Sequence, residues 1–176
     1  DHRRGEVRIA AMKAVVHVAN MGDEDVINAM GLRLEDRDAP VRMAAVGLLG
    51  KVAEKGDACA INAVSKRLEH RDLEVRRTAI RGLAQVAEKG DKLAINAVIQ
   101  RLSHPNSEVA KAAAKGLAQV AEKGDHYAIQ AVSGCLGHSD GEVRRAAVKA
   151  LPFVADKGDA YAISTVCAQL EHRDGD

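Results

Sequence analysis

Aromatic rings are almost missing from this sequence: they make up 2% of its 176 residues, with no Trp, one Phe and two Tyr. A core without large rings has to be assembled from Ala, Val, Leu and Ile, a composition that close-packed helices accommodate better than sheets do. Cysteine is also scarce. Cys59, Cys135 and Cys167 are odd in number and form no CxxC pair, so neither a disulfide framework nor a zinc site is expected, and a reducing, intracellular compartment is favoured. No apolar run approaches the roughly 18 residues that a membrane-spanning helix needs, and the opening DHRRGEVRIA is too charged for a secretory signal. Charge of one sign is lacking as well. A net charge of +1 leaves no basic stripe to neutralise phosphates, so no nucleic-acid partner is expected. The strings GxxxxGK[ST], GxSxG and HExxH do not occur, which removes the commonest phosphate-loop, hydrolase and metalloprotease signatures.

What the sequence does contain is a period. VAEKGD stands at residues 52–57, 86–91 and 120–125, and VADKGD follows at 154–159. Gly22, Gly56, Gly90, Gly124 and Gly158 are each 34 residues apart, and Val7, Val41, Val75, Val109 and Val143 keep the same interval. The copies fall at about 4–37, 38–71, 72–105, 106–139 and 140–173, a single array over residues 1–176. Each copy reads as two helices. In residues 72–90, Val75, Ala79, Ile80, Leu83, Val86 and Ala87 follow the three-and-four spacing of one helix face. Asp72 is placed to cap that helix, and Gly90, preceded by Lys89, to stop it. Asp91 then caps a second helix, KLAINAVIQRLSH, whose inner face is Ala94, Ile95, Val98 and Leu102. Pro40 fits a first turn, whereas Pro152 is expected to kink its helix. One hairpin cannot bury its own apolar stripe, so neighbouring copies must stack. The expected fold is all-α: an α-solenoid of antiparallel helix pairs.

Tetratricopeptide repeats share the period but want aromatics that are absent here, and the TPLH of ankyrin repeats is missing. HRDLEVRRTAIRGLAQVA and HSDGEVRRAAVKALPFVA resemble the HEAT repeat, in the short form of phycobilisome-lyase-like proteins, along the whole chain. The resemblance implies a structural Asp–Arg ladder between repeats, with Asp38 and Arg42, Asp72 and Arg76, and Asp140 and Arg144 as its members. The fourth copy has Asn106 and Ala110 instead, and the first has Arg4 in place of Asp. It also implies an interaction scaffold in a larger assembly. HEAT-like enzymes, of the bilin-lyase or metal-dependent hydroxylase kind, are the alternative, and nucleic-acid binding a lesser one.

His70, His104, His138 and His172 recur with the period, after His2. Their two readings are a metal ladder and a loop residue copied with the repeat. Only Glu69–His70 and Glu171–His172 put an acid beside the ring, while Asp36, Ser103 and Gly137 break the pattern, so the loop reading is preferred. No catalytic residue, metal ligand or cofactor is expected.

Specific information in a repeat array lies where the copies differ. Helical spacing turns Ala60, Ile61, Val64 and Leu68 inward and leaves positions 58, 59, 62, 66 and 69, with their equivalents, outward. By the same resemblance, second helices line the concave surface. One outward column reads Asn28, Asn62, Asn96, Gln130, Ser164, and its neighbour Asp25, Cys59, Leu93, Tyr127, Tyr161. The candidates for contact with a protein partner are His126, Tyr127, Tyr161, Asn62, Asn96, Gln130, Lys66, Lys92 and Gln100. A second reading stays open, in which the tyrosines pack against the next second helix. DHRRGEV and LEHRDGD occupy the same register of the repeat without a polar cap, which suggests neighbouring repeats or subunits covering both ends.

Overall fold

Aspartates at helix starts and left-handed glycines in the turns set the rhythm of the chain. The computed structural model describes residues 2–171; His172 and the closing residues lie outside them, as do the side chains of His2, Arg3, Leu170 and Glu171. Ten α-helices occupy the described residues: α1 (His2–Val18), α2 (Glu24–Arg33), α3 (Ala39–Val52), α4 (Ala58–Ser65), α5 (Leu73–Val86), α6 (Lys92–Ile99), α7 (Ser107–Val120), α8 (His126–Gly134), α9 (Gly141–Val154) and α10 (Ala160–Glu171). The chain folds as an α-solenoid. Its contacts divide it into two compact units, residues 1–88 with α1 to α5 and residues 89–176 with α6 to α10. Each unit holds two helix pairs and one helix of the third copy. Among the described residues no helix is long and apolar enough to cross a membrane.

The aspartate caps form as the spacing predicts. Asp57 accepts from the Ala60 N–H at 2.9 Å, Asp91 from Leu93 at 2.7 Å, Asp125 from Tyr127 at 2.8 Å and Asp159 from Ala162 at 2.9 Å, satisfying donors that the first turn leaves open. Asp72 and Asp140 cap the long helices in the same way, bonding the N–H of Glu74 and Glu142 at 2.7 and 2.8 Å. Pro40 sits in the first turn of α3. Pro152 lies inside α9, which runs on to Val154.

The long helices end sooner than the expected glycine stop. In the fourth copy α7 finishes at Val120, Ala121 is extended, and a turn follows in which the Asp125 N–H reaches the Glu122 carbonyl at 3.2 Å. Gly124 holds the third position of that turn with φ +81°, the geometry a type II turn reserves for glycine. The early stop has a use. The Gly124 N–H donates to the Val154 carbonyl of the next copy at 2.8 Å, as Gly22 does to Val52, Gly56 to Val86 and Gly90 to Val120. The recurrent hexapeptide is therefore a backbone staple between successive copies as well as a hinge. Second helices are shorter than predicted too. α6 ends at Ile99, and Arg101 and Leu102 then bond to carbonyls three residues back, a tightening that turns Leu102 fully inward.

Within unit 1 the helices approach closely because the contacts are small. A Cβ on Gly31 would lie 3.1 Å from the Ala63 Cβ, and one on Gly82 3.0 Å from the Val64 Cγ1. Ile61, Leu68 and Leu83 in unit 1 and Ile95, Leu117 and Ile129 in unit 2 are fully buried, each contributing about 1.5–3 kcal/mol of transfer free energy.

The ladder implied by the resemblance takes a different form. Arg42 donates to the carbonyls of Asp36 and Arg37 at 2.8 and 3.2 Å, Arg76 to those of His70 and Arg71 at 2.8 and 2.9 Å, and Arg144 to those of His138 and Ser139 at 2.7 and 2.8 Å. These arginines clamp the loop before their own helix, where carbonyls freed at the preceding helix end need donors. Asp72 and Asp140 are occupied as caps. Asn106 caps Glu108 at 2.9 Å, so the fourth copy keeps the cap and loses only the clamp. A rung between copies does exist in unit 1, where Arg8 meets Asp36 at 2.8 Å and Asp38 at 2.5 Å; Asp38 makes no side-chain cap.

The Asp36 side chain is 6% exposed. Burial alone would raise its pKa, but the Asp38 N–H and the Arg8 and Arg33 guanidiniums outweigh that and hold the carboxyl below its usual value. The charged form is thus favoured by folding. Its contribution is fully present above the unfolded value near about 4 and is lost as pH falls through the lower folded value. Urea melts at neutral and strongly acid pH are expected to show a smaller acid-induced loss of stability for Asp36→Asn than for the unaltered chain. An equal loss in both would show that Asp36 is not a source of the acid sensitivity.

Candidate functional site

The outward side of the second helices carries the residues at which the copies differ. In unit 2, α8 begins with His126 and Tyr127, held in place by the Asp125 cap. The Tyr127 hydroxyl donates to the Asn96 Oδ1 on α6 at 2.5 Å, and the Lys92 Nζ lies 5.7 Å from the centre of the Tyr127 ring, within cation–π range. On the other side of α8, the His126 ring stacks on Tyr161 of α10, with centroids 3.9 Å apart and planes 11° from parallel. Five of the expected contact residues therefore form one surface across α6, α8 and α10. Both tyrosines are half-buried, and His126, Asn96, Lys92 and Gln130 are exposed. Packing against the neighbouring second helix and presentation to solvent are both true of these rings.

Gln100 falls just past α6, where it caps the helix end. In unit 1, Asn62 is exposed on α4, and Lys66 opens the tight turn Lys66–Glu69 beyond it. The Cys59 thiol lies 3.9 Å from the Asn28 Oδ1, in the same register as Tyr127 with Asn96. An amide in one copy facing the neighbouring column in the next is thus common to both units. It was hidden in the sequence because the two residues are 31 positions apart.

Desolvation, aided by Glu24 and Asp57, raises the Cys59 pKa, and burial raises that of Cys135, so both stay protonated and poorly nucleophilic. No group of three or more His, Cys, Asp or Glu able to hold a metal occurs among the described residues. The periodic histidines have a local task. His70, His104 and His138 each accept, through Nδ1, the N–H two residues on, from Asp72, Asn106 and Asp140 at 3.0 Å. Asp36 does the same for the Asp38 N–H at 3.0 Å with a carboxylate oxygen, which is why an acid replaces the ring there without loss of the turn.

The family model for HEAT repeats matches residues 29–97, 61–152 and 95–176. No curated protein matches the chain. Similar solved structures include an engineered protein at 21% identity, covering 94% of this chain and 76% of its own, with a TM-score of 0.44. A designed armadillo repeat protein in complex with the peptide (KR)4 is 15% identical, covering 98% of this chain and 83% of its own, at a TM-score of 0.42. Computationally designed armadillo repeat proteins for modular peptide recognition give 16% identity, 97% and 94% coverage and a TM-score of 0.39.

Proposed function

Because the chain belongs to the HEAT-repeat family, we propose that it is a non-catalytic interaction module whose second-helix face binds a protein partner within a larger assembly. The observation that carries this reading is the cluster of His126, Tyr127, Tyr161, Asn96 and Lys92 on α6, α8 and α10. Both tyrosines of the sequence fall there, in a repeat that is otherwise almost wholly aliphatic. Stacking and hydrogen bonding hold these side chains in one arrangement before any partner arrives, which lowers the entropy lost on binding. Tyrosine and exposed amides together supply apolar area and both donors and acceptors, the mixture found at interface centres. In unit 2, Gln130 adds a group that can pair with a partner's main chain, and in unit 1 Asn62 and Lys66 offer the same chemistry on α4 and the turn after it.

The test compares proteins retained by the immobilised chain with those retained by a Tyr127→Ala, Tyr161→Ala variant. At least one specific partner is expected to be lost, a weakening of about 2 kcal/mol or more, with helical circular dichroism preserved. Unchanged retention would remove the face from the interface, and loss of helicity would show that the tyrosines serve the fold alone.

A further inference from the structure

The outward sides of the first helices carry their charges unevenly. On α5, Arg77 pairs with Glu74 at 2.5 Å, one turn back, and Lys111 with Glu108 on α7 and Arg145 with Glu142 on α9 repeat the arrangement. On α3 the same two places hold Pro40 and Met43, so the pair is missing. Between α1 and α3 runs an open groove of about 460 Å³, lined by Lys13, Val16 and His17 from α1 and by Leu48 and Lys51 from α3. Lys13 and His17 stand one turn apart, and Lys51 holds on α3 the place that His17 holds on α1. Among the described residues, Lys13, His17 and Lys51 make no ion pair. Glu6 on α1 and Glu54 just past α3 line no part of the groove.

A glycine keeps the groove open. Between α3 and α5, the Arg81 Nη1 lies 3.4 Å from the Met43 Sδ and so spans the two helices. The residue in the place of Arg81 on α3 is Gly47, which has no side chain to reach α1, and a Cβ there would meet no heavy atom within 4 Å. The exposure of the groove belongs to these places in the repeat. Gly47 and Lys51 on α3 and Arg81 and Gln85 on α5, the equivalents of Lys13 and His17, are exposed as well. Leu48 is buried and Val16 half-buried, whereas Lys13, His17 and Lys51 are exposed, which makes an aliphatic floor under a cationic rim.

We infer that this groove of unit 1 is a docking site for an acidic segment of a protein partner, one in which carboxylates alternate with aliphatic side chains. Lys13 and Lys51 would take carboxylates from the two walls, with a His17 ring N–H beside them, and Val16 and Leu48 would receive an aliphatic side chain between. Cations gathered without an acid repel one another, so an anion held among them relieves that repulsion as it binds. The floor selects the kind of anion. A nucleic-acid backbone would set charged oxygens against Val16 and Leu48 and leave both without an apolar contact, whereas a peptide supplies one. The groove lies on first helices of unit 1, so the inference does not rest on the partner-binding reading of the second-helix face.

The test is fluorescence anisotropy of a labelled synthetic peptide, GEELEELEEG, titrated with the 176-residue chain. Saturable binding is expected, weakening as sodium chloride is raised. Lys13→Glu with Lys51→Glu is expected to weaken it by at least about tenfold; both positions are exposed, and circular dichroism checks the fold. Should that variant lose helicity, Gly47→Glu, which adds an acid to the groove and keeps both lysines, is expected to weaken the peptide in the same way. The Tyr127→Ala, Tyr161→Ala variant should bind the peptide as the unaltered chain does, which separates this groove from the second-helix face. Absence of saturable binding overturns the inference, as does equal binding by the folded charge-altered variants. So does a loss of peptide binding in the tyrosine variant. Displacement of the peptide by oligo-dT at a lower concentration than by unlabelled peptide overturns it in favour of a nucleic-acid ligand.

Discussion

Ile129→Ala is expected to lower stability by about 2–5 kcal/mol, and Ile163→Ala by less than about 1 kcal/mol. The two residues hold the same place in the repeat and differ only in what lies over them. Ile129 on α8 is fully buried, with α10 packed against its helix, so truncation removes transfer free energy and leaves a cavity among neighbours that cannot collapse fully. Ile163 on α10 is more than half exposed, and water fills whatever its truncation vacates. Urea denaturation of both variants gives the comparison. Equal costs would mean that Ile163 is as well covered as Ile129 in solution.

Gly124→Val is expected to cost about 1–3 kcal/mol, and the reason is backbone rather than crowding. A Cβ at Gly124 would have no heavy atom within 4 Å, so there is room for the side chain. Its φ of +81° is the obstacle, since a left-handed residue other than glycine costs roughly 1–2 kcal/mol and a β-branched one is the worst case. Relaxing φ would pull the N–H away from the Val154 carbonyl at 2.8 Å, giving up a bond worth about 1 kcal/mol. The opposite sign is expected for Gly47→Ala, which lies exposed within α3 with no neighbour inside 4 Å; helix propensity alone should add about 1 kcal/mol there. Thermal melts of the two variants decide the matter. A neutral Gly124→Val would show that the turn does not fix the spacing of successive copies.

The repeat, the helix pairs and the aspartate caps were legible because each is local or periodic. A carboxylate three residues before a helical stripe announces its own bond, and an interval of 34 announces itself. The ends of the helices were not legible. Gly90 reads as a helix stop, but α5 ends four residues earlier, and the Val86 carbonyl is taken by Gly56 from the preceding copy. Backbone groups carry no side-chain signature, so a bond between residues 30 apart leaves no trace in the string. The arginines were misleading for a related reason: Arg42 and Arg144 satisfy carbonyls, which every residue possesses, rather than the acids that the family resemblance implied.

The candidate site divides in the same way. That Tyr127 and Tyr161 break the repeat was plain from the sequence, as was their place on the outward side of the second helices. That Tyr127 bonds Asn96, and that His126 rather than Tyr127 stacks on Tyr161, required the packed helices. Sequence alone determined the architecture of this protein, because duplicated short-range signals specify one hairpin and its exposed stripe obliges the copies to stack. Only the tertiary structure decided which backbone groups pair between copies and which side chains meet, because those depend on distances between residues about thirty positions apart that no local preference sets.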